Sequence, residues 1–147
     1  MEDWRIEATE KLKQYEARRQ ALEIIPMQIA EIESTMTSIR SASMDGVSVR
    51  TSKGTAREDM LLNCMVQKDE LQRSLERARI WVNIVDRGLS ILDPEERKVL
   101  DRAYIKAECH AADNLAAECF VDVKTIYRWK EKALRKFTIA LYGFTES

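Results

Sequence analysis

The sequence predicts an all-α protein: an N-terminal antiparallel helical hairpin, coiled-coil-like, followed by a C-terminal helix-turn-helix domain. Three observations carry that prediction. Only four glycines and two prolines occur in 147 residues, which leaves little material for turns and favours long helices. Two stretches carry apolar residues at alternating steps of three and four. A short basic segment near the end has the spaced core of two crossing helices. Charged residues at 33% and hydrophobic residues at 45% fit a folded chain better than a disordered one.

Residues 1–40 read as helix. Leu22, Ile25, Ile29, Ile32, Met36 and Ile39 follow steps of 3, 4, 3, 4, 3, the seam of a coiled coil. Leu12 and Tyr15 fit the same phase, and Arg19 breaks it. Pro26 deletes one backbone donor inside this run and is expected to kink the helix or split it near Ile25. Residues 41–57 are rich in Ser, Thr and Gly without an apolar period, so they read as a flexible loop and connector.

Helical pattern resumes at Arg57. Leu71, Leu75, Ala78, Val82, Val85, Leu89 and Leu92 follow steps of 4, 3, 4, 3, 4, 3, and Leu61 and Cys64 extend the phase backwards with Lys68 as the exception. Each stripe needs an apolar partner. The other stripe of the same chain would serve, and so would a second copy, so a homo-oligomer through the arm stays open. Residues 1–89 thus form an arm, and residues 90–147 a second domain.

The second domain opens at Asp93-Pro94-Glu95-Glu96. Asp93 suits a helix cap, Pro94 the first helical position, and the glutamates the positive end of the helix dipole. This helix should reach about Lys106, with Val99, Leu100, Ala103 and Tyr104 inward. Next, Ala116 is small enough for a second helix to cross over it. Leu115, Cys119, Val121, Ile126 and Trp129 supply a shared interior, and Asp122 caps the second helix.

The expected recognition helix is Val123 to Phe137. Its outward face is read as Val123, Lys124, Thr125, Tyr127, Arg128 and Glu131, which would enter a major groove. Lys130, Lys132, Arg135 and Lys136 continue the charge toward phosphates. Charge is partitioned to match. Residues 1–89 balance at −1, residues 90–121 at −3 and residues 122–147 at +3. Positive charge is therefore concentrated on this helix, and the acidic stretch before it should stay away from phosphate.

Other chemistries find little support. The single histidine, His110, has no nucleophile at a recognisable spacing, and no glycine loop could cradle phosphate, so no enzyme is expected. Cys109, His110 and Cys119 lack the fourth ligand and paired spacing of zinc sites, so neither metal nor cofactor is expected and Cys119 reads as a small core residue. An odd cysteine count without an apolar leader points to reduced thiols in a cytoplasm. No run approaches the roughly 18 apolar residues of a membrane span.

Residues from about 90 to 141 resemble region 4 of sigma-70-type transcription factors. The resemblance is carried by Leu92-Asp93-Pro94-Glu95-Glu96-Arg97, by the helix-turn-helix, and by Lys132-Ala133-Leu134-Arg135-Lys136-Phe137. The complete layout is similar to small late-transcription regulators of prophages, of the RinA and ArpU type. The resemblance implies a phage-encoded regulator in a bacterial cytoplasm, with double-stranded DNA as its partner and host RNA polymerase as a further contact. Lys124, Thr125, Tyr127 and Arg128 take the DNA-reading positions by that resemblance. Two other readings share the layout: a small terminase-type DNA-packaging subunit, and a polymerase- or sigma-interaction module that does not read DNA. Phe120 departs from the pattern, standing in the turn where glycine or a small polar residue is common. Either the turn is altered or Phe120 docks against the arm.

Overall fold

The computed structural model describes residues 3–44 and 51–143. All regular structure among them is helical: α1 (Trp4–Met44), α2 (Thr51–Ser90), α3 (Pro94–Leu100), a π-helical segment (Asp101–Ile105), α4 (Ala111–Cys119) and α5 (Val123–Tyr142).

Two sequence expectations are narrowed in the long helices. The helix is not split at Pro26, because α1 continues through it. Proline removes one intrahelical bond, but a helix already nucleated on both sides propagates past that loss, and Pro26 lies on the exposed face where water can reach the freed carbonyl. The expected loop over 41–57 is also shorter than read. Residues 41–44 belong to α1 and residues 51–57 to α2, while residues 45–50 lie outside the described residues. Ser and Thr are only tenths of a kcal/mol poorer than good helix formers, roughly 0.5 kcal/mol each, so a long neighbouring helix extends over them. Earlier in α1 the same residue types are accommodated directly. Thr35 Oγ1 donates to the Glu31 carbonyl and Thr37 Oγ1 to the Glu33 carbonyl, each at 3.0 Å.

The chain divides into two units, and the division does not fall at residue 89. One unit is Gln20–Arg79; the other joins Met1–Arg19 to Ile80–Ser147. Within Gln20–Arg79 the two helices run side by side in opposite directions. Gln28 shares a groove with Ser74, and Met36 shares another with Met65. The heptad positions are the sheltered ones: Leu22, Ile25, Ile29, Ile32 and Ile39 are half-buried, and Met36 and Leu75 are buried. Lys68, the charged exception in the stripe, sets its ammonium 3.0 Å from Glu33 Oε1.

In the other unit, the start of α1 buries Trp4, Ala8, Leu12 and Tyr15, and the end of α2 buries Val82, Val85 and Leu89. Tyr15 donates a short hydrogen bond to Asp86 Oδ1, and the Arg18 guanidinium lies 4.8 Å from the Trp81 ring. Ile126, Ala133, Leu134, Phe137 and Thr138 form the buried side of α5. Thr138 is satisfied there by donating to the Leu134 carbonyl at 2.8 Å. α5 ends at Gly143, whose φ of +84° is the left-handed conformation a helix terminus favours in glycine.

Candidate nucleic-acid interface

Three short elements fix the position of α5. α3 begins where the sequence places it, with Pro94 in its first turn and the Asp93 N–H donating to Glu96 Oε1 at 3.2 Å. It ends earlier than Lys106, since five residues continue as a π-helical segment closed by the Lys106 N–H on the Asp101 carbonyl at 2.7 Å. Ala103 and Tyr104 are consequently only half-buried. Arg102 on this segment binds Glu108 at 2.5 Å and Glu118 of α4, and Lys98 stands 3.6 Å from Glu118. The two hydrogen bonds to Glu118 and Glu108 raise the Arg102 pKa further. Glu108 and Glu118, two of the acidic residues between 90 and 121, are therefore matched internally.

α4 and α5 meet over an apolar cluster of Val99, Leu115, Ala116 and Ile126, with Ala112, Val121, Val123 and Trp129 packed around it. Between the helices, the Val121 N–H donates to the Ala116 carbonyl at 3.0 Å. Asp122 stands before α5 in extended conformation, φ −72° and ψ 149°. The N–H of Thr125 reaches its backbone carbonyl at 2.9 Å, and its side chain makes no capping bond. Asp122 is thus a cap by position rather than by its carboxylate.

Along α5 the residues read as DNA-facing fall into two groups. Lys124, Tyr127, Arg128, Lys132 and Arg135 are exposed. Lys124, Arg128, Lys132 and Arg135 recur at steps of four, four and three, so they share one face, and Tyr127, 52% exposed, lies at its edge among the cations. Tyr127, Arg128, Lys132 and Arg135 also line an open groove along the helix with Glu131.

The remaining members are engaged elsewhere, which corrects their placement. Val123 packs on the core cluster rather than outward. Thr125 is half-buried. Lys130 is half-buried with its ammonium over two rings, 4.8 Å from Tyr127 and 5.7 Å from Tyr104. Lys136 turns inward to α3, donating to Glu96 Oε1 at 2.9 Å with Asp93 Oδ2 at 3.8 Å. Glu96 is only 7% exposed. Burial pushes its carboxyl up, but the bonds from Lys136 and from the Asp93 backbone outweigh that and hold it below the usual value; Lys136 is raised in return.

Glu131 is held by a residue that sequence reasoning missed. Arg5 donates to its Oε1 from Nε at 2.8 Å, and a terminal nitrogen of the same guanidinium lies 2.5 Å from that oxygen. The Arg5 guanidinium also lies 4.5 Å from the Trp4 ring, and Arg135 lies 5.9 Å from the same ring. The first turn of α1 therefore braces the middle of α5, where the free cationic face is interrupted. No local signal marks Arg5, which is 126 residues from its partner. Only the four-residue steps of Trp4, Ala8 and Leu12 hint that this helix end has a buried side.

No protein-family model, curated protein or solved structure matches the chain. An exposed row of two lysines and two arginines with an aromatic residue, all on one helix behind a short turn, can donate to base edges and phosphates together.

Proposed function

We propose that the chain is a sequence-specific regulator of transcription that reads double-stranded promoter DNA with α5. The carrying observation is the single exposed face formed by Lys124, Tyr127, Arg128, Lys132 and Arg135. Lys124 and Arg128, in the first turns, donate to base edges in the major groove. Lys132 and Arg135 lie further along and contact the backbone. The sigma region 4-like text of residues 90–141 supports promoter DNA as the target and a phage or prophage as the setting. Contact with host polymerase belongs to the same reading.

Selection of duplexes from a random pool by the purified chain tests it. One enriched sequence is expected, with affinity falling steeply as salt rises. Replacing Lys124 and Arg128 together by Ala should abolish the preference while helicity is retained. An unchanged preference in that double variant would remove α5 as the reading element.

A further inference from the structure

Phe120 closes the end of α4 with its backbone N–H on the Ala116 carbonyl, but its side chain is at odds with the turn it occupies. Its φ is +57°, the left-handed region that side chains adopt at a cost and glycine adopts freely. Its ring is 94% exposed, the most exposed of the large apolar side chains described. It does not dock on the arm. It thus gains almost nothing from burial, and a glycine there would remove both the backbone strain and the apolar surface. A strained, exposed aromatic residue invites a functional explanation. Its location supplies one: it stands four residues before Lys124, at the end of α5 that leads into the groove.

We infer that Phe120 is an additional DNA contact, packing its ring on an apolar part of the duplex beside the groove that receives α5. Two parts of DNA offer that chemistry, thymine methyl groups and the deoxyribose rim. The inference rests on the DNA-reading role of α5. It adds a contact that carries no charge and releases no counterion.

The experiment uses the full chain and the duplex it selects, with Phe120→Gly and Phe120→Asn, both residues that tolerate a left-handed φ. Thermal midpoints equal to or above the parent's are expected. Affinity should fall about tenfold in both variants, with the slope of log affinity against log salt unchanged. Lys132→Ala, by contrast, should lower that slope by about one. Duplexes with uracil replacing thymine separate the two sources. If the parent loses affinity on uracil and the Phe120 variants do not, the ring meets a methyl group. If uracil makes no difference to either, it meets sugar. Parent-like affinity in both variants would overturn the inference. Failure of the parent to bind duplex DNA even at low salt would instead overturn the DNA reading as a whole.

Discussion

Gly88 of α2 lies against the ring of Phe137 in α5 so closely that a β-carbon at residue 88 would stand 2.8 Å from Cε1. Leu141 crowds the same point at 3.2 Å. Phe137 is fully buried, so the ring has no free space to retreat into. Gly88→Ala should therefore cost about 1–3 kcal/mol, and Gly88→Val more. Urea unfolding followed by circular dichroism measures the loss. Per folded molecule, DNA affinity should be unaltered, because residue 88 is remote in role from the exposed face of α5.

The Lys136–Glu96 contact separates stability from recognition. Lys136→Ala leaves a buried carboxylate without its cation and should lower the urea midpoint more than Lys132→Ala does. It should leave the salt dependence of DNA binding nearly unchanged, whereas Lys132→Ala should reduce it. The folded state holds the Glu96 carboxyl below its ordinary value. Its contribution is therefore complete above the unfolded value of about 4.3 and is lost as pH falls below it. Glu96→Gln should flatten that acid limb, which stability measured from pH 6 to pH 3 would reveal.

Tyr15 gives the opposite limb. Its burial, with the hydrogen bond to Asp86, pushes the phenol up to about 12. A group raised by folding contributes fully below its unfolded value, about 10, and loses that contribution as pH rises through the folded value. Stability should decline between pH 10 and pH 12, and Tyr15→Phe should remove that part of the decline. At neutral pH the variant should be weaker by about 1 kcal/mol.

Arg5 and Glu131 are both well exposed, so breaking their pair should change stability little. Arg5→Ala would nonetheless release a carboxylate on the groove-lining face of α5. DNA affinity should drop about threefold at low salt, and Glu131→Gln in the same chain should restore it. A double-mutant cycle on affinity measures the coupling; additive effects would show that Arg5 does not act through Glu131.

Much of this architecture is legible in the chain because the heptad stripes obey local rules. Every stripe position from Leu71 to Leu92 is buried or half-buried, since a three-four step can satisfy only one side of a helix. The connector was misjudged because its Ser and Thr residues report local preference, and an adjoining long helix overrides it. The face of α5 is readable only in part. Periodicity shows that residues 124, 128, 132 and 135 share a side, but not that α3 places a carboxylate where Lys136 points. Nor does it show that Arg5 arrives beside Glu131. Those facts depend on long-range packing, which spacing within one helix does not encode. Val123 fails for a related reason: the first residue of a helix beside a tight turn can fall back onto the core.

The unit that contains α5 is assembled from both extremes of the described chain, Trp4 to Tyr15 at one and Phe137 at the other. During translation its first piece emerges long before its last. At about 5–20 residues per second, Trp4 and Leu12 wait on the order of ten seconds for the helix they help to bury. A nascent chain halted before residue 130 could form the long antiparallel pair but would lack Arg135, which lies over the Trp4 ring, and the buried Phe137. Assembly of the α5 unit therefore waits until Phe137 has been made, and a product terminated before that residue would lack the finished exposed face of α5.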